Sequence, residues 1–312
     1  MTKPQIDQST PSHGPTYLAL AVLVLIWAAN FSVVKFALRD MSPLAFNGLR
    51  FTLASILLWL IVKVGGRSTT MDRRHWPALI GLGLLGNTVY QIFFILGIDR
   101  TLAGNASLML AATPIFTTLL SIAFRQERIA SMAWTGVVIS VVGIGLVVWG
   151  GTQAVGFAAD TVRGDLTVLA ASVAWSIYTV GSNPLVRRYG ALPVTAVTMW
   201  IGGFALFVVS IPSFLRQDWT AVRPVSWLAL LYSGAFAIAI AYFIWYHSVR
   251  QIGNTRTTVY SNFIPVVALL IAWLTLAETP TWLQLLGAAA VVGGTVLVRL
   301  GRIELSAVAP AE

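Results

Sequence analysis

Apolar residues in this chain run continuously for about 20 positions at a time between short polar breaks, with neither the strict alternation of a strand nor the stripe of an amphipathic helix. At about 1.5 Å per residue, such a run is about 30 Å long, the depth of a bilayer's hydrocarbon core. Each run therefore predicts a membrane-crossing helix. Ten are drawn: 17–38, 43–64, 76–97, 105–124, 134–149, 165–185, 194–214, 227–249, 255–277 and 281–300. The connections are short, which makes consecutive helices antiparallel neighbours. The longest, 150–164, separates the fifth from the sixth. An outer-membrane barrel is excluded, because its strands alternate over about 10 residues.

The pattern is written twice. Pro114, Glu127, Gly136, Gly143 and Leu146 return as Pro265, Glu278, Gly287, Gly294 and Leu297, always 151 positions later. Trp76 and Gly83 return as Trp227 and Gly234 at the same offset, while Trp27 returns as Trp175 after 148, the drift marking loop insertions. Five spans per copy is an odd number, so the second copy enters the membrane from the opposite side. The expected architecture is all-α, with ten transmembrane helices in two inverted five-helix repeats. Its divisions are a tail 1–16, a first repeat 17–149, a linker 150–164, a second repeat 165–300 and a tail 301–312. Inverted repeats belong above all to secondary transporters, whose substrate site lies between the halves.

Charge sets the orientation. With the N-terminus inside, the inner segments hold Lys3, Lys63, Arg67, Arg73, Arg74, Arg125, Arg128, Arg187, Arg188, Arg250, Arg256, Arg299 and Arg302. The outer loops hold only Lys35, Arg39, Arg100, Arg163, Arg216 and Arg223. This bias puts both termini in the cytoplasm. Composition agrees: of 312 residues 57% are hydrophobic and 10% charged, with a mean hydropathy of +0.80. The net charge of +9 is scattered singly over loops, so no nucleic-acid partner is expected. The chain has no cysteine, which removes disulfides and thiolate metal sites. The first apolar segment is too long for a signal-peptide core and reads as an uncleaved span.

Candidate chemistry lies where polar and aromatic residues interrupt the spans. Trp27 and Asn30 share a helical face, as do their counterparts Trp175 and Tyr178, and Tyr90, Phe93 and Phe94 form a stripe mirrored by Tyr242, Trp245 and Tyr246. The amides of Asn30, Asn47, Asn87, Gln91 and Asn262 need partners in hydrocarbon. Either a polar, aromatic-lined cavity or helix-to-helix hydrogen bonds satisfies them. Arg50 lies about 10 Å past Pro43, one turn from Asn47. A substrate's anionic group or a structural bond to a facing helix would hold it. Lys35, near a span's outer end, is expected to snorkel to the interface. Pro114 and Pro265 each deprive a carbonyl four residues earlier, Leu110 or Ser261, of its donor, as packing kinks or as paired hinges. Gly81-Leu82-Gly83-Leu84-Leu85-Gly86 matches a dinucleotide fingerprint in letters, but with no strand before it close helix packing is the better account.

The acids matter by their positions. All eleven fall in loops, tails or at span ends, so a proton or sodium relay has no evident carboxylate. Transport down the substrate's own gradient follows, with His247 the weaker coupling candidate. No HExxH, no GxSxG and no paired carboxylates occur, so no enzyme, cofactor or metal is expected.

At Ile26-Trp27-Ala28-Ala29-Asn30-Phe31, followed by Lys35, Ser42-Pro43 and Leu49-Arg50-Phe51, the chain resembles the ten-helix EamA branch of the drug/metabolite transporter superfamily. The blocks from Pro114 to Glu127 and from Pro265 to Glu278 are similar to its two units. Within it the chain looks most like the YddG-type amino-acid exporters. The resemblance implies a multi-pass inner (plasma) membrane exporter of small metabolites such as amino acids, with the lipid bilayer as its partner; a monomer is one state open to it, and the sequence does not set the oligomeric state. Spans one to four and six to nine would line a central cavity, with five and ten packed to one side. Tyr178 would then stand where the first copy has Asn30, and Trp200 roughly where it has Arg50, a lopsided cavity suited to an amphipathic zwitterion. Substrate contact is expected from Trp27, Asn30, Asn47, Arg50, Tyr90, Gln91, Trp175, Tyr178, Tyr242, Tyr246 and Asn262, with Pro114 and Pro265 as hinges. The alternatives are a drug or nucleotide-sugar carrier, a channel-like pore, or a subunit that transports nothing.

Overall fold

The computed structural model describes residues 14–66, 68–124, 127–155 and 158–304. The expected tails at 1–13 and 305–312, the inner cations Arg67 and Arg125, and linker positions 156–157 lie outside the described residues. The helices are α1 (Gly14–Ala37), α2 (Pro43–Val64), α3 (Arg73–Arg100), α4 (Ala103–Ala123), α5 (Ser131–Val155), α6 (Ala158–Tyr189), α7 (Ala191–Arg216), α8 (Pro224–Ile252), α9 (Arg256–Leu276) and α10 (Trp282–Leu300). Among the described residues, nine of them are long and apolar enough to cross a membrane. The exception is α6, 32 residues long, whose apolar stretch is diluted by Ser172, Ser176, Tyr178, Thr179, Ser182 and Asn183. The expected connection 150–164 is almost all helix, because α5 runs on to Val155 and α6 starts at Ala158.

Local sequence accounts for the breaks. Proline opens α2 and α8, where a missing amide costs nothing. Gly190 (φ 87°) and Gly253 (φ 84°) reverse the chain between α6 and α7 and between α8 and α9 in a single left-handed residue. Inside α4 the helix is interrupted at Ala112 before Pro114, and inside α9 a 3₁₀ turn, Ser261–Phe263, precedes Pro265. The carbonyls that these prolines free do not stay unpaired as expected. Leu110 O accepts from Thr113 Oγ1 at 2.6 Å, and Ser261 O accepts the Ile264 amide. The tightened turns re-satisfy the backbone. Two π-helical stretches, Leu85–Val89 in α3 and Tyr232–Ile240 in α8, shift the register of the residues that follow them.

The most extensive helix pairing is α5 with α10. A Cβ on Gly136 would sit 2.5 Å from Gly294 O, and one on Gly143 2.8 Å from Gly287 O. Lipid tails are as apolar as the side chains, so such van der Waals contact, not the hydrophobic effect, joins helices in a membrane. Two of the three glycines of the dinucleotide-like string serve the same purpose, Gly83 against Thr198 O and Gly86 against the Tyr178 ring, whereas Gly81 meets nothing within 4 Å. Glu278 caps α4, its carboxylate accepting from the amides of Ala103 (3.0 Å) and Gly104 (3.2 Å). Two short strands, β1 (Glu127–Ile129) and β2 (Arg302–Glu304), pair antiparallel and tie the start of α5 to the end of α10.

Candidate functional site

Arg50 organises the interior. It is 2% exposed on α2, with its guanidinium 5.5–5.7 Å from the rings of Phe46, Phe51 and Phe94. One NH group donates to Ser233 Oγ at 3.1 Å and the other to Gln91 Oε1 at 2.7 Å. Ser233 in turn donates to Asn30 Oδ1 at 2.6 Å, and Asn47 Nδ2 donates to the Gln91 carbonyl at 3.0 Å. So α1, α2, α3 and α8 meet on one cation. Its Nε has no hydrogen-bond partner, nor do Asn47 Oδ1 and the neighbouring Asn87 Nδ2. Among the described residues no carboxylate lies against Arg50; the groups within its electrostatic reach are the phenols of Tyr90 and Tyr242.

Beside this cluster runs an aromatic wall. Tyr90 packs on Phe94 (6.2 Å) and on Trp175 (5.0 Å), Trp175 packs on Tyr178 (5.0 Å), and the Tyr178 hydroxyl bonds Thr198 Oγ1 at 3.0 Å. Tyr242 lies edge-on to Tyr246 at 6.3 Å and within electrostatic reach of Arg50, Tyr90 and Tyr178, and the Tyr246 hydroxyl bonds Thr195.

The structure thus gathers Asn30, Asn47, Arg50, Tyr90 and Gln91 into one group and Trp175, Tyr178, Tyr242 and Tyr246 into another against it. It does not gather the whole expected set. Trp27 gives its indole N–H to Ala237 O and packs on Trp245, and Asn262 lies on α9 with Oδ1 unbonded. Trp200 is not the positional counterpart of Arg50. The Arg50 carbonyl lies against Gly234 and the Thr198 carbonyl against Gly83, which matches Arg50 with Thr198 at the offset of 148; Trp200 lines a lateral cavity with Ser55, Ile56 and Trp59. Lys35 does not snorkel: its Nζ donates to the carbonyls of Ile98, Asp99 and Thr101, neutralising the C-terminal dipole of α3. His247 is exposed against Phe243. Ser233, Thr195 and Thr198 were missed in the sequence, although Ser233 immediately precedes the repeated Gly234.

Two ion pairs close opposite ends of the bundle. At one, Arg223 Nε meets both oxygens of Asp40 (2.9 and 3.1 Å), Ser226 Oγ donates to Asp40 at 2.5 Å, and Gln217 bridges the Asp40 carbonyl and the Ser42 amide. The Arg223 guanidinium and then the Ser226 hydroxyl hold the Asp40 carboxyl below the usual carboxylate range. At the other end, Asp72 is held by Arg74 at 3.0 Å with Arg188 at 3.9 Å from the same oxygen, and the Tyr189 hydroxyl takes the Asp72 amide (3.2 Å) and bonds His75 Nδ1 (2.7 Å).

The sequence model of the EamA-like transporter family matches residues 14–149 and again 162–300. The chain belongs to this family, within the drug/metabolite transporter superfamily. It is a membrane transporter and not an enzyme. This EamA-like chain is 30% identical to the uncharacterized transporter YdfC of Bacillus subtilis, over 88% of its own length and 87% of that protein. It is also 30% identical to a probable terminal-alkyne amino-acid exporter of Streptantibioticus cattleyicolor, covering 91% and 94% of the two chains. A protein of known crystal structure shares the fold at a TM-score of 0.65 and 21% identity, over 93% of this EamA-like chain and 98% of that one.

Proposed function

We propose that this EamA-like transporter exports small amphipathic metabolites, amino acids above all, by alternating access between two inverted five-helix units, α1–α5 and α6–α10, in the plasma membrane with both termini cytoplasmic. The observation that carries the substrate class is Arg50. A permanent cation is expensive in an apolar core unless an anion faces it. Here two neutral acceptors hold the guanidinium and its Nε stays unspent. A substrate carboxylate supplies the missing charge, and the adjoining wall of Tyr90, Trp175, Tyr178, Tyr242 and Tyr246 receives an apolar or aromatic side chain. The name of the Streptantibioticus relative, a probable amino-acid exporter, points the same way.

Inversion is supported by contacts that map onto themselves, as a two-fold relation requires. Adding or subtracting 151 turns the Gly136–Gly294 contact into Gly287–Gly143, which is also made. Ser140 donates to the carbonyl of Val291, its own counterpart, at 3.4 Å. The two π-helical stretches overlap at the same offset. The end latches match too, with charges exchanged: Asp40 corresponds to Arg188 at 148, and Arg223 to Asp72 at 151. A pair joining the units at each end suits alternating access, in which one latch would loosen while the other holds.

The test is counterflow: purified protein in liposomes preloaded with unlabelled amino acid, with labelled amino acid outside. Transient accumulation of label, lost in Arg50→Met, is the expected result. Flux without counterflow would mean a pore, and no flux with any amino acid would sink the substrate class.

A further inference from the structure

Asp165 stands two turns inside α6, which starts at Ala158, not at its end. The backbones of α3 and α6 meet beside it: a Cβ on Gly97 would lie 2.6 Å from Val168 Cγ2 and 3.1 Å from Gly164 O, and one on Gly164 2.8 Å from the Thr101 amide. Between helices this close, Asp165 is 0% exposed. Its Oδ1 accepts from Thr101 Oγ1 at 2.5 Å and its Oδ2 from Asn105 Nδ2 at 3.3 Å. Asn105 Oδ1 accepts from Gln284 Nε2 at 2.8 Å, and Gln284 is the reciprocal cap of α10 with Thr281. One carboxylate therefore joins α6 to the α3–α4 junction and, through Asn105, to α10.

Every charged group nearby is bonded elsewhere or exposed. On α6 itself, Arg163 pairs with Asp160 at 3.3 Å, both exposed. From α1, Lys35 gives its Nζ to three carbonyls, Thr101 O among them, while Asp99 and Arg100 at the end of α3 are exposed. Glu278, before α10, is held on the α4 amides. Among the described residues, Asp165 meets only a neutral hydroxyl and a neutral amide. An ionised carboxylate so placed pays its desolvation with no cation in return, whereas a protonated one is neutral and keeps hydrogen-bond partners.

We propose that Asp165 is a proton-binding site that couples closure of this face of the transporter to proton uptake. When α6 parts from the α3–α4 junction, water reaches the carboxylate and it ionises. When they close, it takes one proton from the aqueous phase on that side, the O–H bond forms, and the group is buried neutral beside Thr101 and Asn105. On the orientation proposed above, that phase is the external one. Export then responds to external pH, a dependence for which the sequence offered no carboxylate. The inference rests on the carrier reading for its direction, not for the site.

The first test needs no substrate. Infrared titration of protein reconstituted in lipid, from alkaline to acid, should show the carbonyl stretch of a protonated carboxyl that is missing in Asp165→Asn. The second is counterflow at varied external pH. Wild-type flux should change up to about tenfold per pH unit on one side of a single-proton midpoint, and Asp165→Asn, an isosteric stand-in for the protonated form, should be flat. If that variant does not fold, Thr101→Val, which removes one donor to the carboxylate, should move the infrared midpoint to higher pH. A difference band with no flux would support the site and defeat the carrier reading. An unchanged spectrum in Asp165→Asn, or an unmoved midpoint in Thr101→Val, overturns the proposal even if counterflow is robust.

Discussion

Replacing Ser233 by alanine and Arg50 by methionine separates a functional cation from a structural one. Ser233 Oγ accepts from Arg50 at 3.1 Å and donates to Asn30 Oδ1 at 2.6 Å, so Ser233→Ala removes two bonds between α8 and its neighbours. Hydrogen bonds between membrane helices average about 0.6 kcal/mol and reach about 1.7, while bonds to charged groups reach about 1.5–3 kcal/mol in general. One neutral and one charged bond together give a loss of about 2 kcal/mol, roughly a 30-fold fall in the folded-to-unfolded ratio. Arg50→Met differs. It leaves Gln91 Oε1 without a donor, a cost of about 1–3 kcal/mol. Replacing a buried charge that has no counter-ion by an apolar chain of similar length returns its desolvation penalty, which is at least of that order. Ser233 keeps Asn30, and the methionine packs on Phe46, Phe51 and Phe94. The net change is near zero. Unfolding of the purified variants in mixed micelles should therefore rank Ser233→Ala below Arg50→Met, although counterflow is lost in Arg50→Met. A large stability loss in Arg50→Met with a neutral Ser233→Ala would refute the reasoning, as would normal flux through Arg50→Met.

Gly143→Ala places a Cβ 2.8 Å from both Gly287 O and Val291 N, backbone atoms that cannot rotate away, and should cost about 1–3 kcal/mol; Gly145→Ala, which meets nothing within 4 Å, should be neutral or stabilising in the same unfolding assay. Because the chain has no cysteine, a single Thr195→Cys reports accessibility cleanly. Asp40→Asn should raise its labelling by an impermeant maleimide from one side of the membrane and Arg188→Gln from the other. Labelling that rises from the same side in both would contradict the latch assignment. Arg223 and Ser226 depress the folded value of Asp40, so the latch's contribution is full above the unfolded value of 3.8 and fades only as pH falls through the lower folded one. Labelling of Thr195→Cys with Asp40 intact, normalised at each pH to the same thiol in unfolded protein because maleimide attacks the thiolate, should accordingly not rise on acidification to about pH 4, and an increase well above that pH would show that Asp40 does not hold this end.

Much of the frame was legible because it depends on patterns that run through the whole chain. Continuous apolar runs placed α1–α4 and α7–α10 to within a few residues and α5 to within six, and the small-residue spacing of Gly136 with Gly143 and of Gly287 with Gly294 announced a close helix pair before its partner was known. What was hidden depends on where helices begin and which way side chains turn. Asp165 read as the end of a span because the polar stretch before it looks like a loop; α6 in fact starts at Ala158 and carries it inward. Lys35 read as a snorkelling cation because the three carbonyls it caps belong to a helix 63–66 positions away. Trp27, one turn from Asn30, read as a companion in one site, yet the π-helical stretch of α8 presents the Ala237 carbonyl to its indole and takes it out of the group. No local pattern encodes a register shift of that kind.

The two proposed units keep different things in common. Their close contacts repeat: glycine on glycine at α5 and α10, Gly83 on the Thr198 carbonyl and Gly234 on the Arg50 carbonyl. The polar groups that those contacts position do not. Asn30 and Arg50 of the first unit join Ser233 of the second in a hydrogen-bonded cation; their counterparts, Tyr178 and Thr198 of the second unit with Leu82 of the first, offer a phenol on a hydroxyl and an apolar chain. A transporter that exchanges conformations between its halves needs the contacts to match, because each half must adopt the packing the other has just left. It has no such need for the ligands. A symmetric site would bind a polar-ended substrate in two opposed orientations, whereas one cationic and one aromatic wall fix a single orientation for a molecule with a carboxylate at one end. On the proposed substrate class the asymmetry would set the orientation of the bound molecule, and exchanging Tyr178 for asparagine should weaken discrimination between aromatic and small amino acids in counterflow while leaving the α5–α10 packing and the stability it carries unchanged.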